Sequence, residues 1–199
     1  MSNSANISPE AKVAFDRGLR LSHDPATVDQ AAMAFERAIQ LSPNYRLAYL
    51  YLGEMYYAWS HFQNAIEPLK KAIELDPQEP GAYYILGKNY NLANMYTSAE
   101  DVLHKFIQLV PDTAEAHYEL GYATLQQFAK DREAIEHFRK AIRLNPQHAR
   151  AYYFLGSALV RDRDFSGARE LVVELRELYP KQAEQLANLI SLNDEQAPP

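Results

Sequence analysis

The chain has no cysteine among its 199 residues, which excludes disulfides and thiolate chemistry but does not fix a compartment. Glycine is scarce, at 7 residues, and forms no Gly-rich loop of the kind that cradles phosphates. No apolar run approaches the about 18 residues of a membrane span, so membrane insertion is not expected. Residues 1–9 are polar, without the basic and apolar regions of a signal peptide. Basic residues are the minority, 20 Lys and Arg against 26 Asp and Glu. The resulting net charge of −6 argues against a nucleic-acid partner. These features describe a soluble, cytoplasmic protein.

Catalytic signals are missing too. The six histidines are His23, His61, His104, His117, His137 and His148, and none belongs to an HExxH, HxxxH or Cys/His pattern. Glu133 and His137 stand four apart on one predicted helix and read as a solvated surface pair. There is no nucleophile elbow, no Walker loop and no carboxylate pair. No catalytic residue, metal ligand or cofactor is expected, so the protein reads as non-enzymatic.

What the chain does have is a period. Gly18, Gly53, Gly87, Gly121 and Gly156 are spaced by 35, 34, 34 and 35 residues. Each is followed 12 or 13 residues later by Ala31, Ala65, Ala99, Ala134 or Ala168, and 24 or 25 residues later by Pro43, Pro77, Pro111, Pro146 or Pro180. Within one period, Leu47–Tyr57 and Phe62–Leu75 are two helix-period runs, broken at Ser60-His61 and stopped by Asp76-Pro77. The unit is a helical hairpin, repeated five times.

These residues resemble the tetratricopeptide repeat (TPR) family. Its signature of an aromatic, Leu-Gly and Tyr is matched by Tyr49-Leu52-Gly53-Tyr56 and by Tyr83-Leu86-Gly87-Tyr90. Tyr152-Leu155-Gly156-Leu159 departs at its last position, while His117-Leu120-Gly121-Thr124 and Ala14-Arg17-Gly18-Leu21 are weaker copies. The resemblance implies an all-α, right-handed α-solenoid of five hairpins plus a C-terminal capping helix. One repeat domain is expected over 9–192, with repeats at about 11–45, 46–79, 80–113, 114–148 and 149–182 and a capping helix at 182–192. Residues 1–8 and 193–199 are expected to be a flexible N-terminus and tail. The extra residues of the first and fourth repeats are placed in their inter-helix links, since an insertion inside a helix would disrupt its packing.

The resemblance also implies a binding surface. In this family the first helix of each hairpin lines a concave groove that holds a peptide or a partner's helix. Three before each glycine stand Phe15, Leu50, Tyr84, Tyr118 and Tyr153; one after stand Leu19, Glu54, Lys88, Tyr122 and Ser157. Tyr57, Asn91 and Leu125 sit four after, Arg150 six before Gly156 and Arg161 five after it. Tyrosines at these positions suit recognition and are expected to be partly exposed. Arg150 and Arg161, eleven residues apart, are expected to share one face and, with Lys88, to receive a carboxylate. The Lys/Asn/Arg clamp that some family members use on chaperone C-termini is not reproduced: the best register holds Tyr84, Lys88, Glu119, Arg150 and Phe154. The leading expectation is an adaptor that binds a peptide or protein segment in the groove. The alternative is a homo-oligomeric scaffold whose repeats stack between chains.

Overall fold

The structure, a computed structural model, describes residues 7–194. Its described residues form eleven α-helices and no strand, as expected. They run α1 (Pro9–Leu21), α2 (Val28–Leu41), α3 (Arg46–Ala58), α4 (Phe62–Leu75), α5 (Pro80–Leu92), α6 (Tyr96–Leu109), α7 (Ala114–Leu125), α8 (Asp131–Leu144), α9 (Ala149–Arg161), α10 (Phe165–Leu178) and α11 (Pro180–Asp194). The chain divides into two compact units, the first ending at Met95 and the second beginning at Tyr96. The boundary falls inside the third repeat, so α5 belongs to the first unit and α6 to the second. Residues 1–6 and 195–199, within the stretches expected to be flexible, lie outside the described residues.

The helix ends follow local chemistry. Ser8 caps α1, its Oγ accepting from the Ala11 N–H at 3.1 Å ahead of Pro9 at the first helical position. Three-residue links close the hairpins after α3, α5 and α9, and Ser60, Asn94 and Arg163 adopt φ near +60° in them. The fourth link is longer, residues 126–130, with Ala129 at φ 60°, so its insertion does fall in the loop. The first link is a 3₁₀ turn, Pro25–Thr27, capped by Asp24. The last helix is longer at both ends than the expected 182–192: α11 opens at Pro180, and Asn193 and Asp194 continue it. Asp194 pairs with Arg169 on α10, which holds residues expected to begin the tail.

In the first unit, Phe15, Phe35, Tyr45, Leu52 and Met55 form the core between α1, α2 and α3. Phe15 meets Phe35, Tyr45 and Tyr51 with ring centroids at 5.7, 5.0 and 5.5 Å. Gly53 is what lets α3 lie against α4: a Cβ there would sit 2.5 Å from Leu69 Cγ. In the second unit, Phe138, Tyr152, Leu159, Leu175, Leu186 and Ile190 dominate the core. Gly156 accepts Leu186 of α11, whose Cδ atoms would be 2.9 Å from an added Cβ. The terminal helix thus fills the packing position that a further repeat would occupy.

The second unit also carries three histidines in a row. His104 and His137 have ring centroids 6.1 Å apart, and His117 stacks on His137 at 5.8 Å. His117 is buried and its Nε2–H donates to the Pro111 carbonyl at 3.1 Å. Burial, with His117 and His104 close by, pushes His137 down to about 4. The Glu133–His137 pair is therefore only half solvated: Glu133 is exposed and His137 is not.

Candidate functional site

On the first unit, the period of α3 puts Leu47, Tyr51, Glu54 and Ala58 on one accessible stripe. Phe15 and Leu50, three before their glycines, lie beneath that stripe and are buried. Leu19 on α1 is half-buried beside them, and Asn91 on α5 is buried. The most ordered feature is a cation between two rings. The Lys88 ammonium lies 5.3 Å from the Tyr57 ring centroid and 5.2 Å from that of Tyr84. Each such contact is worth about 0.5–1 kcal/mol at a partly exposed site. Burial, followed by the nearby Glu79 carboxylate, raises Glu54 above the ordinary carboxyl value.

On the second unit the aromatic face is thicker. Tyr118 is only 3% exposed, packed against His148 at 4.8 Å, Phe154 at 6.0 Å and Phe138 at 6.2 Å. Burial pushes its hydroxyl up to about 12, although Arg150 works in the other direction. The Arg150 guanidinium is exposed and lies over the Tyr118 ring at 5.2 Å. Tyr122, half-buried, meets Phe154 edge-on at 5.2 Å. Tyr153 is 54% exposed and also stands edge-on to Phe154. Beside it, Ser157, Leu175, Gln185, Leu186 and Leu189 line a cleft of about 230 Å³. His148 caps α9 through Nδ1, which accepts from the Ala151 N–H at 3.2 Å, leaving its Nε2–H to donate to Glu115 at 2.9 Å.

Two expectations about this face need correcting. Tyr118 is not partly exposed; the hairpin after it supplies Phe138 and the next first helix supplies Phe154, which together close over the ring. Arg161 does not join Arg150 in an open carboxylate site. Its guanidinium donates to the Leu125 carbonyl at 2.8 Å and pairs with Asp131 at 2.9 Å, so its donors are already committed. Asp162, a partner considered for it, is taken by Arg132 at 3.1 Å. Leu125 is buried beneath that contact.

Of the fifteen expected groove residues, Glu54, Tyr57, Tyr84, Lys88, Tyr122, Arg150, Tyr153 and Ser157 retain accessible surface on one unit or the other, as do Leu19 and the committed Arg161. Phe15, Leu50, Asn91, Tyr118 and Leu125 are buried and form only the floor. Two residues were overlooked. Tyr51 and Phe154, two before their glycines, have the surface that the position three before was expected to supply. The alternating four- and three-residue steps from Leu47 to Tyr51 to Glu54 to Ala58 are the signal that identifies them.

Sequence models of the tetratricopeptide repeat match residues 28–80 and 130–183, and a second one matches 81–113. No curated protein matches the chain. Among solved structures, a crystal structure of MamA is 30% identical, with a TM-score of 0.69 over 82% of this chain and 92% of that one. MamA of Desulfovibrio magneticus RS-1, from its residue 41 to the end, gives 0.79 at 23% identity, covering 88% and 98%. YrrB, a TPR protein with an unusual peptide-binding site, gives 0.69 at 23% identity, covering 82% and 85%. The chain belongs to the tetratricopeptide repeat family and has its all-α fold of helical hairpins.

Proposed function

We propose that the protein is a non-enzymatic adaptor that binds an extended peptide or protein segment on the face formed by its first helices. The observation that carries this reading is the pairing of exposed cations with tyrosine rings on that face. Lys88 sits between Tyr57 and Tyr84, and Arg150 lies over Tyr118 beside the exposed Tyr153. Rings with a polar tip anchor apolar side chains, and a cation poised on a ring can receive a carboxylate by charge-assisted hydrogen bonds. The favoured ligand is a segment with an apolar or aromatic residue next to an acidic side chain or a free C-terminal carboxylate. YrrB is a precedent for a peptide-binding site on this fold. The net charge of −6 keeps nucleic acid out of the reading. Among the described residues no helix is long and apolar enough to cross a membrane.

Selection from a displayed peptide library, followed by titration of the selected peptide, tests the proposal. Selected sequences should share an acidic group beside an apolar one, and Lys88→Ala and Arg150→Ala should weaken them in a salt-dependent way. Binding indifferent to both substitutions would overturn it.

A second reading rests on a separate observation at the outer side of α1 and α2. Val13 and Met33 are each 68% exposed there, in a cleft of about 740 Å³ rimmed by Glu10, Arg17, Glu36 and Arg37. An apolar centre inside a charged rim is the composition of an interface between copies. Light scattering at rising concentration separates the readings: growth abolished by Met33→Glu supports self-assembly, and a constant monomer mass excludes it.

A further inference from the structure

The sequence contains the same pair twice: Glu100 and His104 on α6, and Glu133 and His137 on α8, each four residues apart and 33 residues from its counterpart. A spacing of four puts both members of a pair on one helix face. A separation of one repeat places the two pairs on successive second helices, and both lie in the second unit. The fold brings them together. One ligand atom each from Glu100, His104 and Glu133 lies within 4.8 Å of the other two, and His137 adjoins His104. We infer that Glu100, His104 and Glu133 form a binding site for a divalent transition metal ion that bridges α6 and α8.

The donor set fits such an ion. Two carboxylates and one imidazole are borderline N/O ligands, suited to Zn²⁺ or Co²⁺ rather than to the all-oxygen preference of Ca²⁺ or Mg²⁺. Three protein ligands leave one position for solvent. A tetrahedral ion with bonds of about 2.0–2.1 Å needs its donors about 3.4 Å apart. Glu100 Oε1 and His104 Nε2 are already 4.0 Å apart on one helix. Glu133 supplies the remaining movement, because its carboxylate is exposed and makes no hydrogen bond or ion pair with any described residue. Glu100 is oriented from behind: Lys130 donates to its carboxylate at 2.7 Å and Gln127 to Oε2 at 2.6 Å. Such outer partners fix a ligand's direction and leave Oε1 facing His104. The four-residue Glu–His spacing matches none of the local zinc motifs. The site is assembled instead by two helices a full repeat apart.

The test is isothermal titration of untagged full-length protein with ZnCl₂, followed by the visible absorption of a Co²⁺ complex. One equivalent should bind. His104→Ala and Glu133→Gln, both at exposed positions, should each weaken binding by more than about tenfold, the upper range already reached by outer-shell changes. Substituting the exposed His23 and His61 should leave it unchanged. Bound Co²⁺ should show the intense visible bands of four-coordination. Zinc binding that survives both His104→Ala and Glu133→Gln overturns the site, as does the absence of saturable binding at millimolar zinc. Circular dichroism of each variant keeps a folding defect from being read as lost ligation. Peptide affinity plays no part in these readouts, so the outcome is independent of the adaptor proposal.

Discussion

Arg161 and Leu125 are joined across 36 residues: the guanidinium at the end of α9 donates to the carbonyl that closes α7, at 2.8 Å. The first unit has a counterpart, in which Trp59 Nε1 donates to the Ser22 carbonyl at 3.0 Å across 37 residues. In each case a side chain at the end of one first helix satisfies a carbonyl left over at the end of the previous one. The contact ties consecutive repeats together at the level of helix ends, where no intrahelical donor remains.

Arg161→Ala should therefore lower stability and leave peptide affinity unchanged. A hydrogen bond from a charged donor contributes about 1.5–3 kcal/mol, and the half-exposed guanidinium reduces that here to about 1 kcal/mol. Urea denaturation should show the midpoint fall. Arg150→Ala, which removes an exposed side chain with no printed ion pair, should move the midpoint far less while weakening the peptide.

Gly53→Ala tests the close approach of α3 and α4. Its Cβ would come 2.5 Å from Leu69 Cγ, a branched carbon in a fully buried side chain. Overpacking of about 1–3 kcal/mol should exceed the about 1 kcal/mol that alanine gains over glycine in a helix. At Gly81 the only near atom is Glu79 Oε1 at 3.1 Å, a movable carboxylate oxygen. Gly81→Ala should then stay within about 0.5 kcal/mol of wild type. Equal melting temperatures for the two variants would show that Gly53 is not chosen for packing.

The period made the hairpins legible because glycine, alanine and proline each mark a constraint that recurs at the same point in every repeat. Even the weak first copy folds, since Phe15, Ala31, Phe35 and Ala38 keep the buried stripe. The binding face was harder to see. A helix has 3.6 residues per turn, so an offset of three and an offset of two before glycine differ by about 100° and trade floor for surface. That is why Leu50 is buried while Tyr51 is exposed. The commitment of Arg161 was not legible at all, because its partner is a main-chain carbonyl. The meeting of Glu100, His104 and Glu133 had a faint signal, the Glu–His pair repeated one period apart.

Glu54→Gln should stabilise the protein at neutral pH. The Glu54 carboxyl is raised above its ordinary 4.5 by burial and then by Glu79, so the folded chain holds this proton more tightly than the unfolded chain. The sign follows: the group favours folding below the unfolded value, and that contribution is lost as pH rises through the folded one. The amide has no proton to lose. The melting-temperature difference between variant and wild type should be positive at neutral pH and shrink to nothing in acid below the ordinary carboxyl value. A difference independent of pH would assign the effect to packing instead.

Truncation after Tyr179 removes α11 and with it Ala183, Leu186 and Ile190, all buried against α9 and α10. Burying a Leu or Ile side chain contributes about 1.5–3 kcal/mol, so the loss is several kcal/mol before the newly exposed apolar face is counted. The truncated chain should melt earlier and self-associate. An unchanged melting temperature with full solubility would show that α11 is dispensable to the second unit.

Tyr118 and Tyr153 occupy the same offset in successive repeats, yet the structure assigns them opposite roles. Tyr118 is enclosed by Phe138, His148 and Phe154, whereas Tyr153 stands half in solvent because α11 brings no aromatic ring over it. Tyr118→Ala should cost about 3 kcal/mol or more, in the range of large-to-small changes in a core, and should lower peptide binding only through unfolding. Tyr153→Ala should leave the melting temperature nearly unchanged and weaken the selected peptide by more than about 1 kcal/mol, as an interface anchor does. Tyr118→Phe separates ring from hydroxyl: since the ring supplies the packing, this variant should recover most of the stability. If Tyr153→Ala binds the peptide as well as wild type does, the face beside α11 is not where the ligand sits, and the cluster around Lys88 on the first unit must carry recognition alone.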